Sequence, residues 1–150
     1  MNMTHKNPAA RTTFRINRFM LILVVFLLFF EPPLLKWYCQ ARYLSPEEQY
    51  SVTGAFYASA AAALYALWNL DRLLKNILDG SVFVRDNVRR IRRVCLCCAL
   101  VALFCAPAAL YYPPMIFLTV IMGFLCLVVN VVREVMDAAV TIREENDLTV

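Results

Sequence analysis

The chain has 150 residues, 61% of them hydrophobic and only 17% charged, with three glycines and a formal net charge of +4. A soluble domain averages about 45–50% apolar and about 25% charged, so the composition excludes an ordinary soluble enzyme, a disordered chain and a collagen-like repeat. The apolar excess is gathered into four blocks, which fill the chain as one membrane domain.

The first block is the least regular. Its apolar run Phe19–Phe30 is twelve residues long, about 18 Å of helix, and crossing a hydrocarbon core takes roughly 20 residues. Glu31, Pro32 and Pro33 interrupt it before Leu34, Leu35, Trp37 and Tyr38 resume. The pattern predicts one span over 17–38, kinked or unwound at the Pro pair, with Trp37 and Tyr38 as an interfacial belt. A basic start and a short apolar core also fit a signal peptide. However, no small-x-small site follows and no lipoprotein box precedes Cys39, so an uncleaved span is expected.

The second block, 51–70, is uncharged and carries small residues at four-residue spacing: Gly54, Ala58, Ala62 and Ala66, with Ala55, Ser59 and Ala63 in a second row. Small residues let helix backbones approach closely in lipid. The third block, 94–112, offers Cys95, Cys98, Ala99, Ala102, Cys105, Ala106 and Ala109 in return. These two spans are expected to pack together; a homo-oligomer built on the same ladder is the alternative. Pro107 predicts a kink. Tyr111–Pro114 is a short turn into the fourth block, 115–136, where Thr119 and Asn130 are single polar residues suited to interhelical hydrogen bonds. The first and fourth spans, rich in Phe, Leu, Ile and Val, should face lipid. The expected fold class is all-α: a polytopic membrane protein, an antiparallel four-helix transmembrane bundle with cytoplasmic helix extensions.

Thirteen of the fifteen Lys and Arg fall on one side if both termini are inside; only Lys36 and Arg42 fall outside. The positive-inside rule therefore predicts a multi-pass protein of the cell inner or plasma membrane with both termini cytoplasmic. Attraction to anionic lipid explains the net charge without direct nucleic-acid binding. The cytoplasmic loop 71–93 extends the second helix to about Leu78, and Asp79-Gly80-Ser81 reads as a helix stop. Ser81 or Asp86 is suited to cap the next helix. Val88, Ile91 and Val94 sit among Arg85, Arg89, Arg90, Arg92 and Arg93, a basic amphipathic lead-in. The tail 137–150 has the opposite sign; Asp137, Glu144, Glu145 and Asp147 face only Arg143 there. It is expected to cover the run Arg89–Arg93.

The loop with Gly80, Phe83, Asn87 and the basic stretch, and the tail Glu144-Glu145-Asn146-Asp147-Leu148-Thr149-Val150, resemble the bacterial domain-of-unknown-function family numbered 2975. Val84 departs from the Thr or Ser expected there. The resemblance implies a small protein with four membrane spans. It also implies a membrane partner for a small helix-turn-helix transcription regulator, because genes of the family sit beside such regulators. Partner-binding candidates are Gly80, Phe83, Asn87, Arg89, Arg90, Arg92, Arg93, Glu144, Glu145, Asn146, Asp147 and Leu148.

The sole histidine, His5, excludes a His-based metal site or triad, and three scattered glycines exclude a phosphate loop. The six cysteines read as small apolar filling, with the Cys95, Cys97 and Cys98 cluster a weak thiolate-metal candidate. No catalytic, metal or cofactor-binding residue is assigned and no cofactor is expected. Glu31 is either a proton or cation site inside the membrane or a headgroup residue. The expected function is non-enzymatic: a regulatory or scaffolding membrane protein presenting its basic loop and acidic tail to a cytoplasmic partner. A small transporter or channel subunit is the alternative.

The orientation has a direct check. A reporter fused after Val150 should be active only as a cytoplasmic type, and one inserted near Gln49 only as an external type. The reverse at either site ends the four-crossing reading.

Overall fold

The first, second and fourth apolar blocks each lie inside a longer helix, whereas the third, expected over 94–112, runs past the end of its helix at Ala108 into the turn before Pro113 and Pro114. A computed structural model describes residues 8–43 and 45–148 and places in them α1 (Pro8–Arg42), α2 (Pro46–Leu78), α3 (Arg85–Ala108) and α4 (Pro114–Leu148). The 35 residues of α1 and of α4 make each about 52 Å long at 1.5 Å per residue, well beyond a hydrocarbon core of about 30 Å. By length and composition three helices, α1, α3 and α4, can cross a membrane. α2 falls outside that set. Its uncharged stretch is built largely of Ala, Ser, Thr, Tyr and Gly, with few large aliphatic residues.

The helices run antiparallel and pack in chain order, α1 on α2, α2 on α3 and α3 on α4. A core of Ala55, Val101, Cys105, Ala108 and Met115 joins α2, α3 and the start of α4, with Ala62, Leu118 and Met122 packed around it. Ser59 Oγ and Cys105 Sγ share a buried hydrogen bond of 3.3 Å across the α2–α3 seam. Only 6% of the most apolar stretch of α1 and of α4 is buried, against 28% in α3. The two outer helices thus present their Phe, Leu, Ile and Val outward, as expected.

Several local expectations are corrected. α1 continues through Pro32 and Pro33 as one helix. The two prolines deprive the Leu28 and Phe29 carbonyls of their usual donors, but unwinding would strip more backbone of partners in hydrocarbon. Pro107 sits in the last turn of α3, so it precedes a helix end. α2 starts before its apolar block because Ser45 and Glu48 form a capping box: Ser45 N–H donates to Glu48 Oε2 at 2.8 Å, and Ser45 Oγ accepts from the Glu48 N–H at 3.5 Å. α3 begins behind Val84 with no side-chain cap, so neither Ser81 nor Asp86 serves. Thr119 donates to Met115 O within its own helix, and Asn130 bonds to no other helix among the described residues.

The small-residue ladder is also displaced. Gly54 is exposed, with nothing within 4 Å of where a Cβ would stand. Ala58 and Ala66 are half-buried, and Ala62 alone of the four packs on the core. A row at four-residue spacing drifts about 40° per step around a helix of 3.6 residues per turn, so it cannot follow one neighbour. The seam follows Ala55, Ser59 and Ala62 instead.

Ala108→Leu, at a fully buried site, should therefore lower the unfolding temperature in detergent, with an overpacking cost of about 1–3 kcal/mol. Gly54→Leu should leave it nearly unchanged. Equal effects of the two would remove the seam.

Candidate functional site

The α2–α3 connection is built by backbone geometry and one asparagine. Gly80 adopts φ +84°, the left-handed conformation glycine tolerates. Ser81 N–H then donates to Asn76 O at 2.9 Å and Gly80 N–H to Ile77 O at 3.1 Å, a Schellman stop for α2. Asn87 is fully buried and satisfied on both sides. Its Nδ2 donates to Ser81 O and Val82 O, each at 2.8 Å, and its Oδ1 accepts from Asn76 Nδ2 at 2.8 Å. The loop is thus pinned to both helices it joins. Phe83 stands against an apolar groove of α4 formed by Val131, Val132, Val135, Met136 and Ala139.

The tail is clasped, and Glu144 meets Arg85 rather than the expected run Arg89–Arg93. Arg85 takes that role. Its Nη1 donates to Asp137 Oδ1 at 2.8 Å, its Nη2 to Glu144 Oε2 at 2.9 Å, and it also reaches Thr141 Oγ1 at 3.3 Å. The Glu144 carboxylate, followed by Asp137, holds the Arg85 guanidinium above its ordinary range. Asp137, Thr141 and Glu144 sit at i, i+4 and i+7, one face of α4.

The other arginines divide between two faces. Arg89 and Arg92 line a cleft with Arg133, Glu134 and Asp137 of α4. Arg90 pairs with Asp86 one turn back at 2.8 Å and, with Arg93, borders Tyr65, Trp68 and Arg72 of α2. Glu145 and Asn146 are exposed; the side chains of Asp147 and Leu148, and His5, lie outside the described residues. Arg85 was missed as a site residue, although Asp137 and Glu144, with Thr141 between them on one face of α4, marked where a cation would dock.

A second site lies along α1 and α2. Arg18 Nε bonds Asp71 Oδ1 at 3.3 Å and Asn17 Nδ2 donates to Leu67 O at 3.1 Å, which sets the register of the two helices. Glu31 is thirteen residues beyond Arg18, about 20 Å along the helix. It is 7% exposed, and the Tyr57 hydroxyl faces its carboxylate. Neither carboxylate oxygen meets a donor in hydrogen-bonding geometry. The carboxylate lines an apolar cavity of about 280 Å³ with Trp37, Tyr38, Phe56, Tyr112 and Met115 among its walls. The Tyr38 and Tyr112 rings meet edge to face at 4.7 Å.

All six cysteines are free thiols, with Cys95 Sγ and Cys126 Sγ 3.4 Å apart between α3 and α4. Among the described residues no group of three or more His, Cys, Asp or Glu is placed to hold a metal.

A helical hairpin array with outward apolar faces and a loop clasped to a helical tail defines a multi-pass α-helical membrane protein. Residues 19–150 match the family described as a protein of unknown function (DUF2975), and the chain belongs to that family. No curated protein and no solved structure matches the chain significantly.

Asn87→Ala leaves the Asn76 amide and two loop carbonyls without their partner, at about 1–3 kcal/mol for each group left buried. Hydrogen exchange over 76–90 should accelerate by at least about tenfold, while amides of α4 near Met122 keep their protection. Unchanged exchange in the loop would show that Asn87 does not hold it.

Proposed function

We propose that this is a non-enzymatic scaffolding or regulatory membrane protein that presents the clasped loop–tail face to a cytoplasmic partner. The observation that carries the reading is the Arg85 clasp. It joins loop and tail into one surface while leaving Arg89, Arg92 and Arg133 along an open cleft. The charge asymmetry of the loops favours both termini inside. α2, packed antiparallel between two helices able to cross, supports a four-crossing topology.

A cleft rich in arginine fits an acidic segment or an anionic headgroup, since guanidinium pairs with carboxylate and phosphate in a fork geometry. The family resemblance names a partner class, a small helix-turn-helix regulator. Phe83 on the α4 groove supplies an apolar contact next to the charged one. Direct nucleic-acid binding is not part of the reading: the topology signal and attraction to anionic lipid account for the basic loop without it.

An exposed clasp can open and close, and a partner that binds one state better shifts the balance. Arg85→Gln should free the end of α4, raising protease cleavage after Arg143, with the helices of the membrane part unchanged by circular dichroism. Arg89→Gln with Arg92→Gln should leave the clasp intact but weaken binding of an acidic peptide several-fold. That binding should also fall as salt is raised, the screening length being about 8 Å at physiological ionic strength. Equal peptide binding by the double variant and the unmodified protein would rule out the cleft as the docking surface.

A further inference from the structure

Glu31 is not accounted for by the loop–tail face. Its depth follows from α2, which carries no charged residue between Glu48 and Asp71. Tyr57, which faces Glu31, is nine residues from Glu48, about 13 Å of helix. Arg18–Asp71 and Asn17–Leu67 fix α1 against α2, so α1 cannot slide Glu31 to the surface alone. Moving both helices together would carry Asp71 or Glu48 into hydrocarbon. On the four-crossing reading proposed above, on which this step rests, the carboxylate sits inside the apolar slab, where an ionisable side chain is costly and marks a functional site.

The surroundings state what would compensate it. The cavity walls bring Trp37, Tyr38, Phe56 and Tyr112 around the one carboxylate. The faces of aromatic rings attract cations, and such rings around an acid suit ammonium groups bearing apolar substituents. A metal ion such as calcium or magnesium wants six or more oxygen ligands, and the cavity walls offer one carboxylate and the Tyr38 and Tyr112 hydroxyls, with Tyr57 beside it. At about 280 Å³ the space lies just below the range of about 300–1,000 Å³ usual for drug-sized ligands, which sets a small molecule. Trp37 is 71% exposed, on the side of α1 that lipid reaches, so an amphipathic cation can enter from the bilayer.

We infer that the Glu31 cavity is a binding site for an organic ammonium ion with apolar substituents, its charge on the carboxylate and its substituents against Trp37, Tyr38, Phe56 and Tyr112. The ammonium belongs either to a free amphipathic cation or to the alkylated headgroup of a lipid; both present the same chemistry.

The test uses the full chain in nanodiscs of phosphatidylglycerol, with Trp68→Phe so that Trp37 is the only tryptophan. Benzyltrimethylammonium should change Trp37 emission saturably. Sodium at the same concentration, and neopentylbenzene, the uncharged isostere, should not. Glu31→Gln should weaken binding at least about tenfold, the scale expected for removing one partner of a buried charge pair. Circular dichroism and a single chromatographic peak check that the variant folds; if it does not, the comparison of cation with isostere on the unmodified Glu31 decides. Saturable binding of neopentylbenzene with the affinity of the cation, or undiminished binding by a folded Glu31→Gln, overturns the inference. Repeating the titration in phosphatidylcholine, whose headgroup ammonium carries methyl groups, with both titrations at high salt so that surface charge does not concentrate the cation, separates the sources. A shift to higher concentration identifies the lipid ammonium as an occupant, and an unshifted curve identifies the free cation; either supports the site.

Discussion

The cost of leaving a polar group without a partner in hydrocarbon governs this molecule. It keeps α1 helical across two prolines, where a soluble chain would more readily break. It also directs the polar side chains of the apolar segments. Thr53 and Thr119 donate to carbonyls one turn back, as does Asn69, and Ser59 pairs with Cys105 across the seam. Asn17 spends its amide on a carbonyl of α2. Asn17 Oδ1 and the Glu31 carboxylate depart from this local satisfaction, and the carboxylate lies where an aromatic-lined cavity opens.

At the other end, the order of dependence runs from Gly80 to Asn87 to Arg85. The left-handed glycine reverses the chain, and the buried asparagine fixes the reversal by three hydrogen bonds. Only then does Arg85, in the first turn of α3, meet Asp137 and Glu144 of α4. A surface ion pair is a weak stabiliser, so the clasp does not hold the loop. The loop holds the clasp, and a weak contact on a rigid base is well suited to respond to a binding partner.

Helix count, antiparallel hairpins, the lipid-facing outer helices and the glycine stop were all legible in the sequence, because each follows from local composition and period. The family loop was legible through Gly80, Phe83 and Asn87. Three features were not, for different reasons. The Ala ladder misled because a four-residue spacing is read on a straight line while the helix turns 3.6 residues at a time; the true seam runs through Ala55 and Ser59. The clasp was assigned to the densest basic run, Arg89–Arg93, whereas helical rotation divides those arginines between the α2 and α4 sides and leaves Arg85 facing the acids. The environment of Glu31 needed the register of α1 on α2, which depends on a contact 53 residues apart in sequence.

α2 shows how packing between neighbours lowers the hydropathy of a helix. Hydropathy measures what a helix offers to lipid, and α1 and α4, almost wholly outward-facing, score high. α2 is packed by protein on two sides, α1 and α3. A helix in that position benefits from small side chains that admit its neighbours closely and from polar groups that bond to them, and both lower its hydropathy. Ala55 and Ser59 on the α3 side, and Val52 and Phe56 toward the Glu31 cavity, are the outcome. The helix without a strongly apolar stretch is therefore the one that touches both the core seam and the cavity, and its modest hydropathy reflects how much protein surrounds it.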